Sequence, residues 1–504
     1  MKKYNKKQSG FMKFLDSIEK AGNALPHPAT LFAILALLVA ILSFITYHFS
    51  ISAIHPTTGE KVIPFNLVSG DGLSWIYISV TKNFVMFPPF GIVLVAMVGI
   101  GVAEGSGLIE ALIRQSVIKA PSRLVTPIIV AAGIISHLAS SVGYVVLIPL
   151  GAMVFMAFKR HPIAGLSAAF VGVSGGFGAN FLIGSIDPIL SGLSESAAKL
   201  ILPEITINPA VNFYFMFVSA CMIVFVGTFV TEKIVEPRLG IWNSSQNDEI
   251  ILPTIQEKRG LIYAGVAAFI IGLLFLVLVI PENGLLRGTG RITNGPFFKG
   301  LITAILVFFF IPGLVYGITT GKIKNDRDVI SLVTTAMKGI APYIVLVFFA
   351  SQFVFWFRES RLGIILAIKG AALIKSSGMS GVMLILIFIL FSGILNMFMG
   401  SASAKWAIMA PVFVPMFMLS GYHPALTQAA FRIGDSVTNI ITPMMSYFAL
   451  ILTYVNKYDK DAGIGTMISI MLPYTVFLSF IWTLLLVVWY LLGIPLGPGG
   501  PLHM

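Results

Sequence analysis

The sequence predicts an all-α polytopic membrane protein, with about nine transmembrane helices and two opposed re-entrant hairpins arranged as an inverted repeat. Three observations carry this. Of 504 residues, 57% are hydrophobic and only 11% charged, a balance outside the range of soluble domains. Two long apolar runs are broken in the middle by polar residues, SHLASSVG and GSASAKW. These two runs match without a gap at an offset of 262 positions: Ser141 to Ser403, Pro149 to Pro411, His161 to His423, Pro162 to Pro424, Gly172 to Gly434 and Ser174 to Ser436. Interrupted segments in corresponding halves of a membrane protein point to a transporter's binding site.

The same composition excludes other classes. The net charge of +12 fits Lys and Arg collected in cytoplasmic loops rather than a nucleic-acid partner. A single cysteine, Cys221, rules out an internal disulfide. Forty Phe and 48 Gly suit helices packed closely in lipid.

Taken in order, residues 1–27 form a basic cytoplasmic tail, and the apolar run at 28–49 is too long for a signal peptide's core and reads as the first span. An external loop (50–71) leads to a second span at 72–103, ending at Glu104, and an interfacial amphipathic helix follows. Residues 124–158 read as the first hairpin, two half-length helices meeting at a polar tip. The third span, from Pro162 to Ile186, is too rich in Gly to be a continuous helix and ends in Asp187-Pro188. A fourth span at 208–230 closes the first repeat half (28–230), and a charged linker at 231–260 separates it from the second (261–493). There the spans fall at 261–280, 297–319 and 329–357, before the second hairpin at 382–419. An eighth span from His423, broken near Thr442-Pro443, a ninth at 464–492 and a tail at 494–504 complete the chain.

Between the hairpins lie five crossings, and an odd number makes the second hairpin enter from the opposite face. With the N-terminus inside, Lys and Arg favour the cytoplasmic segments by about two to one, leaving Lys338, Lys405 and Arg432 within apolar runs.

Ionisable groups deep in such runs mark pathways, since each costs at least ~2.5 kcal/mol to insert. Arg432 and Asp435 are three apart and Asp435 and Asn439 four apart, so all three project from one helical face. They read either as a carboxylate that holds a proton or cation beside a guanidinium that grips an anion, or as a structural ion pair. Asp187 is a second ion-coupling candidate or a helix cap near the external surface. Ser140 and Ser141, with Ser401 and Ser403, offer hydroxyls and free amides at half-helix N-termini, a favourable place for a carboxylate. Asn396 suits an amide-bearing ligand or a cation. Trp406 is a stacking face or packing, Lys405 pairs with a carboxylate or snorkels to a surface, and His137 is a proton relay or a hydrogen-bonded filler. Pro424 and Pro443 are structural. No cofactor is expected beyond a coupling ion, H⁺ or Na⁺, with sodium placed near Asp435 and Asn396.

At SSVGYVVLIPL, RHPIAGLSAAF, GSIDP, NMFMGSASAKWAIMAPVFVPM and HPALTQAAFRIGDSVTNIITP the chain resembles the AbgT family, the p-aminobenzoyl-glutamate transporters of the ion-transporter superfamily. The resemblance covers essentially the whole chain. It implies an elevator-type carrier in a bacterial inner membrane, a homodimer whose outer frame dimerises and whose inner core carries a small-molecule substrate. The implied substrates are p-aminobenzoyl-glutamate and, in some members, sulfonamide antimetabolites moved outward. By motif, Asp187, Asn396, Trp406, Pro424, Arg432 and Asp435 match family positions proposed to matter.

Other classes fit less well. An intramembrane enzyme would need a nucleophile with a base; His137 near Ser140 and Ser141 is the candidate pair, yet no HExxH or GxSxG motif occurs and catalysis would not call for a mirrored second tip. A passive channel would need a continuous polar stripe. Among carriers, a proton-driven sulfonamide efflux pump and a citrate-like dicarboxylate carrier remain alternatives.

Overall fold

The protein is seen in a computed structural model that describes residues 26, 28–54, 59–118, 121–138, 143–242, 254–288, 295–443, 445 and 447–504. In lipid the backbone must bond internally, and apolar runs of this length without strand alternation do so as helices, which dominate. Among the described residues, eight helical segments are long and apolar enough to cross a membrane. Seven coincide with expected spans, and the eighth is the second arm of the second hairpin. The expected third and eighth spans are instead broken into short helices.

The first span is α1 (Pro28–His48). In the loop that follows, β1 (Ala53–Ile54) and β2 (Lys61–Val62) pair antiparallel. The expected second span is two helices, α2 (Gly70–Val85) and α3 (Pro88–Ser106). Pro88 and Pro89 lack the amides to continue α2 and push Phe87 to an extended conformation (ψ 115°), so the chain restarts there. Gly107, at φ 89°, ends α3 and leads into α4 (Leu108–Ile118).

The first hairpin consists of α5 (Val125–Ile135) and α6 (Ile148–Ala157), with a π-turn at Gly143–Leu147. Its tip, including Ser140 and Ser141, lies outside the described residues. Next, α7 (Pro162–Phe170) passes through a π-turn at Val171–Gly175 into non-helical chain before α8 (Ile186–Ala198). The Gly-rich break is therefore real, and the third span is two short helices.

The fourth span, α9 (Phe213–Val230), does not stop where the charges begin. It continues through a π-turn (Thr231–Val235) into α10 (Glu236–Leu239), and α11 (Ile255–Val279) starts before the expected linker ends. Glu236 and Glu232 are four apart and both face Arg160, at 2.5 and 3.6 Å, so the charged sequence begins as a further turn of the helix.

In the second half, α12 (Pro296–Lys299) and α13 (Leu301–Thr319) precede a further departure from expectation. Residues 329–357 are not one span: α14 (Asp326–Gly339), with no fully buried residue, is set off from α15 (Ala341–Glu359) at Ile340 before Pro342. Lys338 is exposed on α14. After α16 (Leu362–Ser376) comes the second hairpin, α17 (Gly381–Asn396) and α18 (Ala402–Leu419). The eighth span is α19 (Pro424–Asn439) and α20 (Phe448–Asn456), and α21 (Ile464–Leu491) is the ninth. The last residues fold back on the start of α19, where the His423 amide donates to Leu502 O (2.9 Å).

Two groups of helices pack mainly within themselves. One holds α3, α11, α13 and α14; the other holds both hairpins, α7 to α9, α19 and α21; α3 against α8 joins them, and α1 and α15 pack chiefly against each other. Within the second group the repeat is visible as close crossings at paired glycines. A Cβ on Gly172 would sit 2.4 Å from Val130 O of the first hairpin, and one on Gly434 would sit 2.4 Å from Ile389 O of the second.

Candidate functional site

Each broken span meets a hairpin, and the buried charges gather where they do. Among the described residues, the buried Asp, Glu, Lys and Arg side chains are Asp187, Lys405, Arg432 and Asp435. Arg432 and Asp435 share a face of α19, as their spacing predicts, yet they do not pair with each other. Arg432 Nη2 donates to Asp187 Oδ1 of α8 at 2.6 Å, and Lys405 of α18 places its ammonium 2.5 Å from Asp435 Oδ1. Two ion pairs thus tie α19 to one element of each repeat half. Desolvated opposite charges need such partners, because an unpaired one would be too costly to bury.

Asp187 lies in the first turn of α8, where its Oδ2 also accepts from the Gly184 amide at 2.7 Å. It is not the helix cap that one reading expected: the N-cap position is Ser185, no side chain caps α8, and Asp187 is fully buried. Arg432 uses one nitrogen on Asp187; its Nε and Nη1 are buried and find no acceptor among the described residues.

Asn396, at the end of α17, joins the second pair to α19. Its amide nitrogen lies 2.7 Å from Asp435 O, 2.8 Å from Thr438 Oγ1 and 2.8 Å from Asn439 Oδ1. Its Oδ1 accepts from the Lys405 ammonium. Asn439 in turn points its amide at Ser174 O across the first repeat's break (3.5 Å), and Ser436 Oγ accepts from the Gly178 amide at 2.7 Å. The two breaks are therefore laced together by side chains from α19.

At the second tip, Ser401 caps α18 by accepting from the Ala404 amide (3.3 Å) and lies 3.3 Å from Ser403 Oγ. Both serines are partly exposed, unlike the charged residues beside them. Pro443 belongs to this site too: it sits in the break after α19, where Thr442 Oγ1 donates to Met397 O at 3.3 Å.

Two expected site residues are placed differently. Trp406 is fully buried between α18 and α8, its Nε1 donating to Ser194 Oγ (3.0 Å) and one ring face covered by Phe431 at 4.6 Å, so packing describes it here. Pro424 is the first residue of α19, eight residues or ~12 Å along the helix from Arg432, and it starts the helix without reaching the charges. His137 is buried against Val173 O and Phe177, as a filler would be.

Sequence reasoning passed over Tyr144 and Tyr447, whose rings stack at 4.3 Å and 9° beside Ser174. The repeat held a signal for the first: at the same offset that maps Ser141 to Ser403, Tyr144 maps to Trp406, and each tip carries an aromatic residue three positions on. Ser174 and Ser436 were visible in the same way.

Comparison with known proteins places this arrangement. Residues 13–504 match the family described as "AbgT putative transporter family". The chain is 39% identical over 494 residues to the p-aminobenzoyl-glutamate transport protein of Escherichia coli (strain K12), covering 98% of this chain and 97% of that one. Among solved structures, MtrF of Neisseria gonorrhoeae, presented as illuminating a class of antimetabolite efflux pumps, aligns with a TM-score of 0.91 at 45% identity over 97% of this chain and all of that one. The Alcanivorax borkumensis YdaH transporter aligns with a TM-score of 0.88 at 41% identity, over 94% of this chain and all of that one. With a match over nearly its whole length, and with the broken spans and hairpins that its own residues dictate, the chain belongs to the AbgT family of transporters.

Proposed function

We propose that this protein is a secondary active transporter of p-aminobenzoyl-glutamate or a related aromatic amide bearing carboxylates, coupled to an H⁺ or Na⁺ gradient. One observation carries the substrate class. Arg432 is 2% exposed, yet its Nε and Nη1 have no acceptor among the described residues, which is the state of a guanidinium made to receive a carboxylate as well as Asp187. A second carboxylate fits the N-terminus of α18, where Ser401 and Ser403 stand partly exposed. The 39% identity to a p-aminobenzoyl-glutamate transport protein supports the same choice.

In this reading, substrate binds between the two tips and the broken spans, and the group holding the hairpins slides against the group built on α3, α11 and α13. Asn439 meets the substrate's amide and is held in place by Asn396, 2.8 Å away, while Asp187 and Asp435 sense occupancy. The protein works as a homodimer in a bacterial inner membrane with its N-terminus in the cytoplasm, as the basic tail and loop charges favour. A second reading, outward movement of sulfonamide antimetabolites, is favoured by the 45% identity to MtrF and uses the same site in the other direction.

Uptake of labelled p-aminobenzoyl-glutamate into proteoliposomes tests both. Wild type should accumulate substrate under an imposed ion gradient, and Arg432→Ala should lose at least tenfold in rate. Transport by Arg432→Ala at the wild-type rate would place the carboxylate elsewhere. Absence of uptake together with gradient-driven export of a sulfonamide would select the second reading.

A further inference from the structure

The place assigned to a sodium ion, beside Asp435 and Asn396, already holds a cation. Lys405 stands in the first turn of α18, 1% exposed, with its ammonium 2.5 Å from Asp435 Oδ1 and donating to Asn396 Oδ1. The orientation of Asn396 is fixed independently, since its amide nitrogen faces the Asp435 carbonyl oxygen, Thr438 Oγ1 and Asn439 Oδ1. Its carbonyl oxygen can only point at Lys405. One ammonium group thus pairs with Asp435 Oδ1 and donates to Asn396 Oδ1, and a second cation there would meet Lys405 at close range beside a carboxylate whose charge it already offsets.

We propose that Lys405 is a tethered cation that takes the position of a coupling metal ion, and that the protein binds no sodium at Asp435. In a carrier with a free ion, binding of that ion neutralises a buried carboxylate and fixes a hairpin to its neighbouring span. Here a side chain does both. Lys405 neutralises Asp435 and, with Asn396, fastens the two arms of the second hairpin to α19. Asp187 is closed in the same way by Arg432, so each buried carboxylate among the described residues carries a built-in counter-ion. This bears on coupling through the transporter reading, narrowing its two ions to the proton, but the binding claim needs no substrate.

Equilibrium binding of radiolabelled sodium to the purified full-length protein, with choline as the control cation, tests it without any transport assay. Wild type should bind none that depends on Asp435. Saturable binding to wild type that Asp435→Asn abolishes would overturn the proposal, whereas binding that survives Asp435→Asn lies elsewhere and agrees with it. Thermal unfolding supplies the second arm. In Lys405→Ala, sodium should raise the unfolding midpoint by a few degrees over choline, and Lys405→Ala with Asp435→Asn should lose that response. A folded Lys405→Ala with no preference for sodium would also overturn it, and if that variant does not fold, the wild-type measurement decides alone.

Discussion

At the centre of α19, Arg432 and Asp435 show why a buried residue cannot be read from its own helix. Three residues apart on one face, they could pair, but such a pair adds only ~0.2 to 0.5 kcal/mol on an isolated helix. Each instead completes a pair with another element. Removing one partner of a buried pair leaves an uncompensated charge, so Asp435→Asn should destabilise the protein by about 3 to 5 kcal/mol. Lys405→Met combined with Asp435→Leu should recover most of that loss in thermal or denaturant unfolding, and equal losses in single and double variants would contradict the pairing. The charged members of the site were legible, because Asp, Arg and Lys stand out in apolar sequence. Their partners were not: Lys405 and Asp435 are joined by tertiary packing, and no spacing rule links them. The partners of Trp406 were hidden for a related reason, since Phe431 and Ser194 meet it from other elements.

Among elements, glycine decides how near a hairpin may come to its span. A methyl group on Gly434 would press on Ile389 O at 2.4 Å, and backbone cannot step aside as a flexible side chain can. Gly434→Ala should destabilise by ~1 to 3 kcal/mol and depress transport, while Gly265→Ala, on α11 with open space around its Cβ position, should leave both unchanged. Measured expression, unfolding and uptake of the two variants separate crowding from a general intolerance of α-helical substitution. Hairpins, broken spans and their order were readable from polar interruptions and the repeat. Some boundaries were missed: Pro88-Pro89 divides a helix inside one long apolar run, α14 is a separate polar helix set off before Pro342, and Glu232 and Glu236 extend a helix because Arg160 answers them.

Across the whole molecule, the parity of crossings makes a claim that labelling can check. In a Cys221→Ser background, Ser377→Cys before the second hairpin should react with a membrane-impermeant maleimide on intact cells, and Ser122→Cys before the first should not. Inverted vesicles should reverse the pattern; reaction of both from one side would refute the inverted arrangement. Both serines are exposed, so accessibility reports sidedness rather than burial. The four charged groups buried among the described residues add a consequence for membrane voltage. Two acids and two bases cancel, and a neutral body crossing a membrane field does no electrical work, whereas one uncompensated charge is worth about 2.3 kcal/mol per 100 mV. Under the proposed transport, these paired groups add nothing to the electrical work of the moving core, and any current that accompanies turnover reports the substrate and its coupling ion.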